Sequence, residues 1–137
     1  MVPQPQSPSL IVRNATILTM NDAFDVIEGD VVIRGSRIAA IGSATVATAD
    51  RIIDGSGSYL LPGFIQTHLH LCQTLFRGYA DDLALLEWLK TRVWPMEAAH
   101  TPASLAAAAR QAASELLRSG TTTVLTMETV HDTDAVF

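Results

Sequence analysis

A single cysteine, Cys72, leaves this 137-residue chain without a partner for an intrachain disulfide, which agrees with a reducing compartment. The opening segment, MVPQPQSP, has no basic stretch followed by an apolar core, and no apolar run approaches the length of a membrane span. Secretion and bilayer insertion are not expected, and the cytoplasm is the expected location. Basic residues are scarce and scattered, nine against fourteen acidic ones for a net charge of −5. No nucleic-acid partner is expected, and a small molecule suits the chain better. The sequence also lacks an internal repeat, a low-complexity tract, a glycine-rich phosphate loop, a dinucleotide fingerprint and the Cys/His spacing of zinc fingers, and those classes drop out with them.

What is present is apolar enough to fold. Hydrophobic residues make up 48% of the chain and charged ones 17%, and a domain of this length buries roughly two thirds of its unfolded surface. Residues 1–8 read as a flexible N-terminus. Residues 9–61 read as short strands at 10–20, 30–34 and 37–41, with Gly35-Ser36 as a two-residue hairpin turn and a second turn cluster at 54–58. The expectation is an antiparallel, sandwich-like unit.

The pattern changes after Pro62-Gly63. Residues 64–70 read as a strand, and a helix follows in which Leu86, Leu89 and Val93 recur at three- and four-residue steps. Asp81 or Asp82 is the expected cap, and Pro95 is expected to stop it. A second helix has Thr101 at its cap and Pro102 at the first helical position. Its apolar stripe is Leu105, Ala108, Ala109, Ala112 and Leu116, and Gly120 ends it. Residues 121–127 then read as a β-branched strand, apolar enough to be buried on both faces. Strand, helices, strand favours a parallel pair, the unit of open α/β sheets and of (β/α)8 barrels alike. A barrel needs about 250 residues, so two strands would be only its start.

The segment Leu61-Pro62-Gly63-Phe64-Ile65-Gln66-Thr67-His68-Leu69-His70 carries the chemistry. Side chains at i and i+2 of a strand share a face, so His68 and His70 point the same way from backbones roughly 6.6 Å apart. Two imidazoles so placed can converge on one ion, because zinc–nitrogen bonds run about 2.0–2.1 Å. They fall at the C-terminal end of their strand, where α/β barrels keep their active sites. Taken alone, a His-x-His pair is as readily two polar residues on an exposed strand face.

In this context the sequence resembles the amidohydrolase superfamily over nearly its whole length. It is most similar to the branch of methylthioadenosine/S-adenosylhomocysteine deaminases, guanine deaminase and triazine chlorohydrolases. The resemblance is carried by the His68/His70 strand, Thr74-Leu75-Phe76-Arg77-Gly78, Asp81-Asp82-Leu83, Glu87-Trp88-Leu89, Pro95-Met96-Glu97 and Gly120-Thr121-Thr122-Thr123. It implies an α/β fold: the N-terminal part of a composite β-sandwich at 9–61, then the first two strands and crossover helices of a metal-dependent hydrolase (β/α)8 barrel at 62–137, incomplete in this chain. It implies His68 and His70 as the first two ligands of one divalent metal, zinc or sometimes iron, and Glu97 as a carboxylate for the substrate's ribose hydroxyls. The further ligands and the catalytic residues are expected beyond residue 137.

Other polar and aromatic residues have plainer readings. Gln73, Trp88 and Trp94 are candidates for the pocket mouth, although tryptophan on a helix more often packs. Cys72 reads as a small buried residue, His100 as a surface loop residue, and Glu128 and His131 as loop packing in preference to a pocket role. Glu97, taken without the resemblance, reads as a solvated carboxylate. Thr126 stands where the family often has aspartate, which is expected to relax the hydrogen bonding behind the metal ligands.

The implied activity is hydrolytic deamination of an aminopurine, a nucleoside or a related N-heterocycle, with the isolated chain inactive because two histidines are half a catalytic zinc site. Two alternatives stay open: a non-catalytic fragment or interaction module that keeps the start of the fold, and a cyclic-amide hydrolase or chlorohydrolase of the same superfamily. Homo-oligomerisation, or association with a missing C-terminal part, is also open.

Overall fold

Residues 9–18 hold the apolar runs Leu10-Ile11-Val12 and Ile17-Leu18 around a polar Arg13-Asn14 step, and the strand they form organises the first half of the chain. The computed structural model describes residues 9–43, 48–80, 82–128 and 131–137; the expected loose N-terminus at 1–8 and a capping role for Asp81 lie outside the described residues. The chain divides into two compact units between Pro62 and Gly63.

In the first unit, β1 (Ser9–Leu18) pairs antiparallel with β2 (Val26–Arg34), and β2 with β3 (Arg37–Gly42). Arg34 faces Arg37 across the expected Gly35-Ser36 turn, where Gly35 sits at a φ of 59°, a conformation glycine adopts without a Cβ clash. The β1–β2 register slips between Val12 and Ala15, and Asn14, at a φ of 56°, lies within that bulge. Ala15, Ile17 and Val31 form the buried cluster, with Ile27, Ile33 and Leu60 packed around it.

The antiparallel reading of 9–61 needs correction. Arg51–Asp54 (β4) and Tyr59–Leu60 (β5) both run parallel to β1, giving one mixed five-stranded sheet in the order β3-β2-β1-β4, with β5 also on β1. Apolar alternation sets which face of a strand is buried; it carries no information about the direction of its neighbour.

In the second unit, β6 (Phe64–Leu69) and β7 (Thr121–Thr126) form the expected parallel pair. Gly63 is needed where β6 starts, because a Cβ there would overlap Cγ2 and Oγ1 of Thr122. The crossover holds a 3-10 helix (Leu71–Phe76), α1 (Leu85–Trp88), a π-turn (Leu89–Val93), α2 (Trp94–Ala98) and α3 (Pro102–Arg118). Ala84, not Asp82, stands at the α1 cap and makes no side-chain capping bond.

Pro95 does not end the helix. Helical backbone runs on to Ala98, and the turn before the proline widens so that the Trp94 N–H bonds to the Leu89 carbonyl, five residues back. Widening moves the carbonyls away from a ring that has no N–H to offer.

The α3 helix forms as its sequence requires. The Thr101 hydroxyl accepts from the Ser104 N–H and the Ser104 hydroxyl from the Thr101 N–H, a reciprocal cap. Leu105, Ala108, Ala109 and Ala112 are buried, and Ala109 and Ala112 pack on Leu71 with Leu69 and Leu116 at the rim.

The strand β7 is not buried on both faces as its composition suggests. Thr121 is buried, but Leu125 is 67% exposed, because β7 pairs only with β6 and α3 covers only part of it among the described residues. No helix among the described residues is long and apolar enough to cross a membrane.

Candidate functional site

His68 lies on β6 and His70 one residue past its end, in backbone that is still extended at φ −135° and ψ 99°. The strand alternation therefore carries through to His70, and the two rings stand edge to face with centroids 5.5 Å apart. At Leu71 the chain tightens into the 3-10 helix, which turns the next residues off the strand direction. Cys72 is accordingly buried, with no exposed surface, and does not continue the histidine row.

Hydrogen bonding fixes the His70 ring. Its Nδ1 lies 2.6 Å from the Met127 carbonyl oxygen, and a carbonyl can only accept, so Nδ1 carries a proton, which leaves Nε2 as the nitrogen available to a ligand. This is the arrangement by which metal-binding histidines are commonly oriented. His68 makes no hydrogen bond within the described residues. Two imidazoles at one strand end suit a borderline-soft divalent ion such as zinc. Among the described residues no third histidine, cysteine or carboxylate joins them.

An open cavity of about 750 Å³ borders the pair, and Gln73, Thr74, Tyr79 and Trp88 share its wall. Leu69 also lines it, with Ala112 and Leu116 of α3. Residues 68 and 70 face one side of β6 and residue 69 the other, so a cavity touching all three runs along the strand's edge. No residue of β7 lines it.

Glu97 sits inside α2 and is partly buried, unlike a solvated loop carboxylate. Its Oε1 accepts from Gln73 Nε2 at 2.8 Å, and the Cys72 thiol is 3.7 Å from the same oxygen. Gln73 thereby links Glu97 to the cavity wall that holds the histidines. Of the two tryptophans weighed from the sequence, Trp88 lines the cavity, while Trp94 is 49% exposed and does not.

Three sequence readings change. His100 is not a free surface residue: Nδ1 is 2.8 Å from Ser104 Oγ, Nε2 is 3.0 Å from the Cys72 carbonyl, and the ring stacks on Phe76. A histidine just before a helix cap reads as loop because its partner, a backbone carbonyl 28 residues away, leaves no mark in the sequence.

Glu128 does more than pack. Its carboxylate accepts from the backbone N–H groups of Leu71 at 3.0 Å and Cys72 at 2.8 Å. Thr126, expected to loosen the hydrogen bonding behind the histidines, instead sets its hydroxyl between Glu128 and the Leu69 carbonyl, two acceptors that share its one proton.

Arg77, at the other end of the 3-10 segment, holds Glu115 of α3 through paired bonds of 2.7 and 3.0 Å. The Arg77 side chain keeps the Glu115 carboxyl below its ordinary range, and Gln111 adds to this.

The chain matches the amidohydrolase family over residues 59–137. It is 46% identical over 119 residues to a 5'-deoxyadenosine deaminase of Methanosarcina mazei, covering 86% of this chain and 28% of the relative. It is 40% identical over 119 residues to a 5-methylthioadenosine/S-adenosylhomocysteine deaminase of Thermococcus kodakarensis, covering 87% of this chain and again 28% of the relative. Among solved structures it superposes with a TM-score of 0.80 at 26% identity on an atrazine chlorohydrolase of Arthrobacter aurescens complexed with zinc, over 93% of this chain and 32% of that one. The chain thus spans under a third of the length of the relatives it matches.

Proposed function

Because the chain belongs to the amidohydrolase family, we propose that it is the N-terminal part of a metal-dependent hydrolase that removes ammonia from an aminopurine nucleoside or a related N-heterocycle. The observation that carries this reading is the His68/His70 pair at the end of β6, with rings 5.5 Å apart. It lies in a chain 46% identical to a 5'-deoxyadenosine deaminase over 119 residues. Residues 9–61 form the sandwich portion and residues 62–137 the start of the (β/α)8 barrel. The open edge of β6 receives a further barrel strand.

His68 and His70 hold one divalent metal, zinc by the nature of its donors and with iron as the other candidate. When bound, the metal supplies Lewis acidity that brings the pKa of a water toward about 7. His70 presents Nε2 because its Nδ1 proton is committed to Met127. Glu97, steadied on one oxygen by Gln73, accepts hydrogen bonds from the sugar hydroxyls of the substrate. The apolar wall and Trp88 hold the heterocycle and exclude water. The buried thiol of Cys72 suits a reducing cytoplasm.

A catalytic zinc site takes three protein ligands and water, so the 137-residue chain by itself is inactive. Reading the coding DNA beyond codon 137 for further histidine, glutamate and aspartate ligands tests this directly. With the longer polypeptide, ammonia release from 5'-deoxyadenosine against chloride release from a chlorotriazine separates the deaminase from the chlorohydrolase reading. Release from neither substrate, or no further ligands downstream, would sink it.

A further inference from the structure

Ordinary strand pairing stops at Leu69 and Thr126, yet the two segments remain tied for up to three more residues. The Met127 N–H donates to the Leu69 carbonyl at 3.0 Å, and His70 Nδ1 donates to the Met127 carbonyl at 2.6 Å. Leu71 and Cys72, the first residues of the 3-10 helix, have N–H groups with no partner inside that helix. Both point to the Glu128 carboxylate, at 3.0 and 2.8 Å and on different oxygens. The Thr126 hydroxyl lies against the same carboxylate. One anionic side chain thus replaces two backbone acceptors where the ladder ends, and charge-assisted bonds of this kind are the stronger ones.

We propose that Glu128 is the positioning residue for His70: its carboxylate clamps the peptides after His70 against the end of β7. The clamp keeps the ring on the Met127 carbonyl and Nε2 turned out for a ligand. The two contacts act on adjacent residues of both segments, His70–Met127 and Leu71–Glu128, so loosening the second lets the first slide. This inference rests on His68 and His70 being metal ligands, and its test separates the two.

The measurement is the His70 tautomer, read from long-range proton–nitrogen spectra of the imidazole in the 137-residue chain, alongside a zinc titration. In the parent chain Nδ1 is protonated. Glu128→Ala moves His70 toward the mixed tautomers of a free imidazole and weakens zinc binding by roughly 10- to 100-fold. Glu128→Gln keeps one acceptor oxygen but turns an NH₂ toward a backbone N–H, and gives a smaller shift in the same direction. The amide signals of α3 report whether each variant is folded, and if Glu128→Ala is not, Glu128→Gln decides. An unchanged His70 tautomer in a folded variant overturns the proposal and leaves Glu128 as a cap of the 3-10 helix. A shifted tautomer in a chain that never binds zinc upholds the clamp and removes the ligand role of the histidines.

Discussion

The Nε2 of His100 lies 3.0 Å from the Cys72 carbonyl oxygen, so the loop that opens α3 is tied to the 3-10 helix behind the histidine pair. The ring also stacks on Phe76 of that helix, with centroids 5.2 Å apart. Replacing His100 with alanine leaves a partly buried carbonyl without its donor, which costs about 1–3 kcal/mol. Denaturant unfolding followed by tryptophan fluorescence measures this, since both tryptophans, Trp88 and Trp94, belong to the same unit. A change within error would mean that water takes over the bond.

Leu105 is fully buried on α3. Leu105→Ala removes its packing and leaves a cavity, at a cost of about 2–5 kcal/mol. The same fluorescence transition should move to much lower denaturant. A cost below about 1 kcal/mol would mean that the helix collapses into the space.

The Arg77–Glu115 pair predicts an acid-side pH dependence. The Arg77 side chain holds the Glu115 carboxyl below its ordinary value of 4.5. A carboxyl depressed in the folded state stabilises above its unfolded pKa, and that contribution is lost as pH falls through the folded value. The side chains are 62% and 44% exposed, so solvent screens the pair and the effect is small. Melting temperature should fall more gently below pH 4.5 in Glu115→Gln than in the parent chain, and the difference should shrink in high salt. Parallel curves for the two proteins would contradict this.

These elements differ in how visible they were in the sequence. The Gly35-Ser36 hairpin, the Thr101 cap, the α3 stripe and the β6/β7 pair are local rules expressed in local residues, and each was legible. The shared face of His68 and His70 follows from strand alternation, which the extended backbone at 70 preserves. The parallel placement of β4 and β5 on β1 was not legible, since partner direction is decided by contacts 41 residues apart in the Leu10–Arg51 pair. The Glu128 clamp and the His100 bridge were also hidden. Both satisfy backbone groups, and a sequence does not display which N–H or carbonyl will lack a partner.

Pro95 offers the last test, because its effect ran against expectation. An α-helical proline would meet the carbonyl four residues back, that of Thr91, with no hydrogen to donate. The chain avoids this with the π-turn at Leu89–Val93, which adds one residue to that turn. Alanine at 95 can donate, so Pro95→Ala should let the turn tighten to regular α-helix. Losing the extra residue rotates everything after it by about 100° around the axis. Glu97, two residues on, would then swing away from Gln73, whose Nε2 now lies 2.8 Å from its Oε1. The Gln73 side-chain amide signals should move to those of a solvated glutamine while helical content rises. If they stay, the wide turn is held by the packing of Val93, only 2% exposed, and the proline merely tolerates a shape that the core imposes.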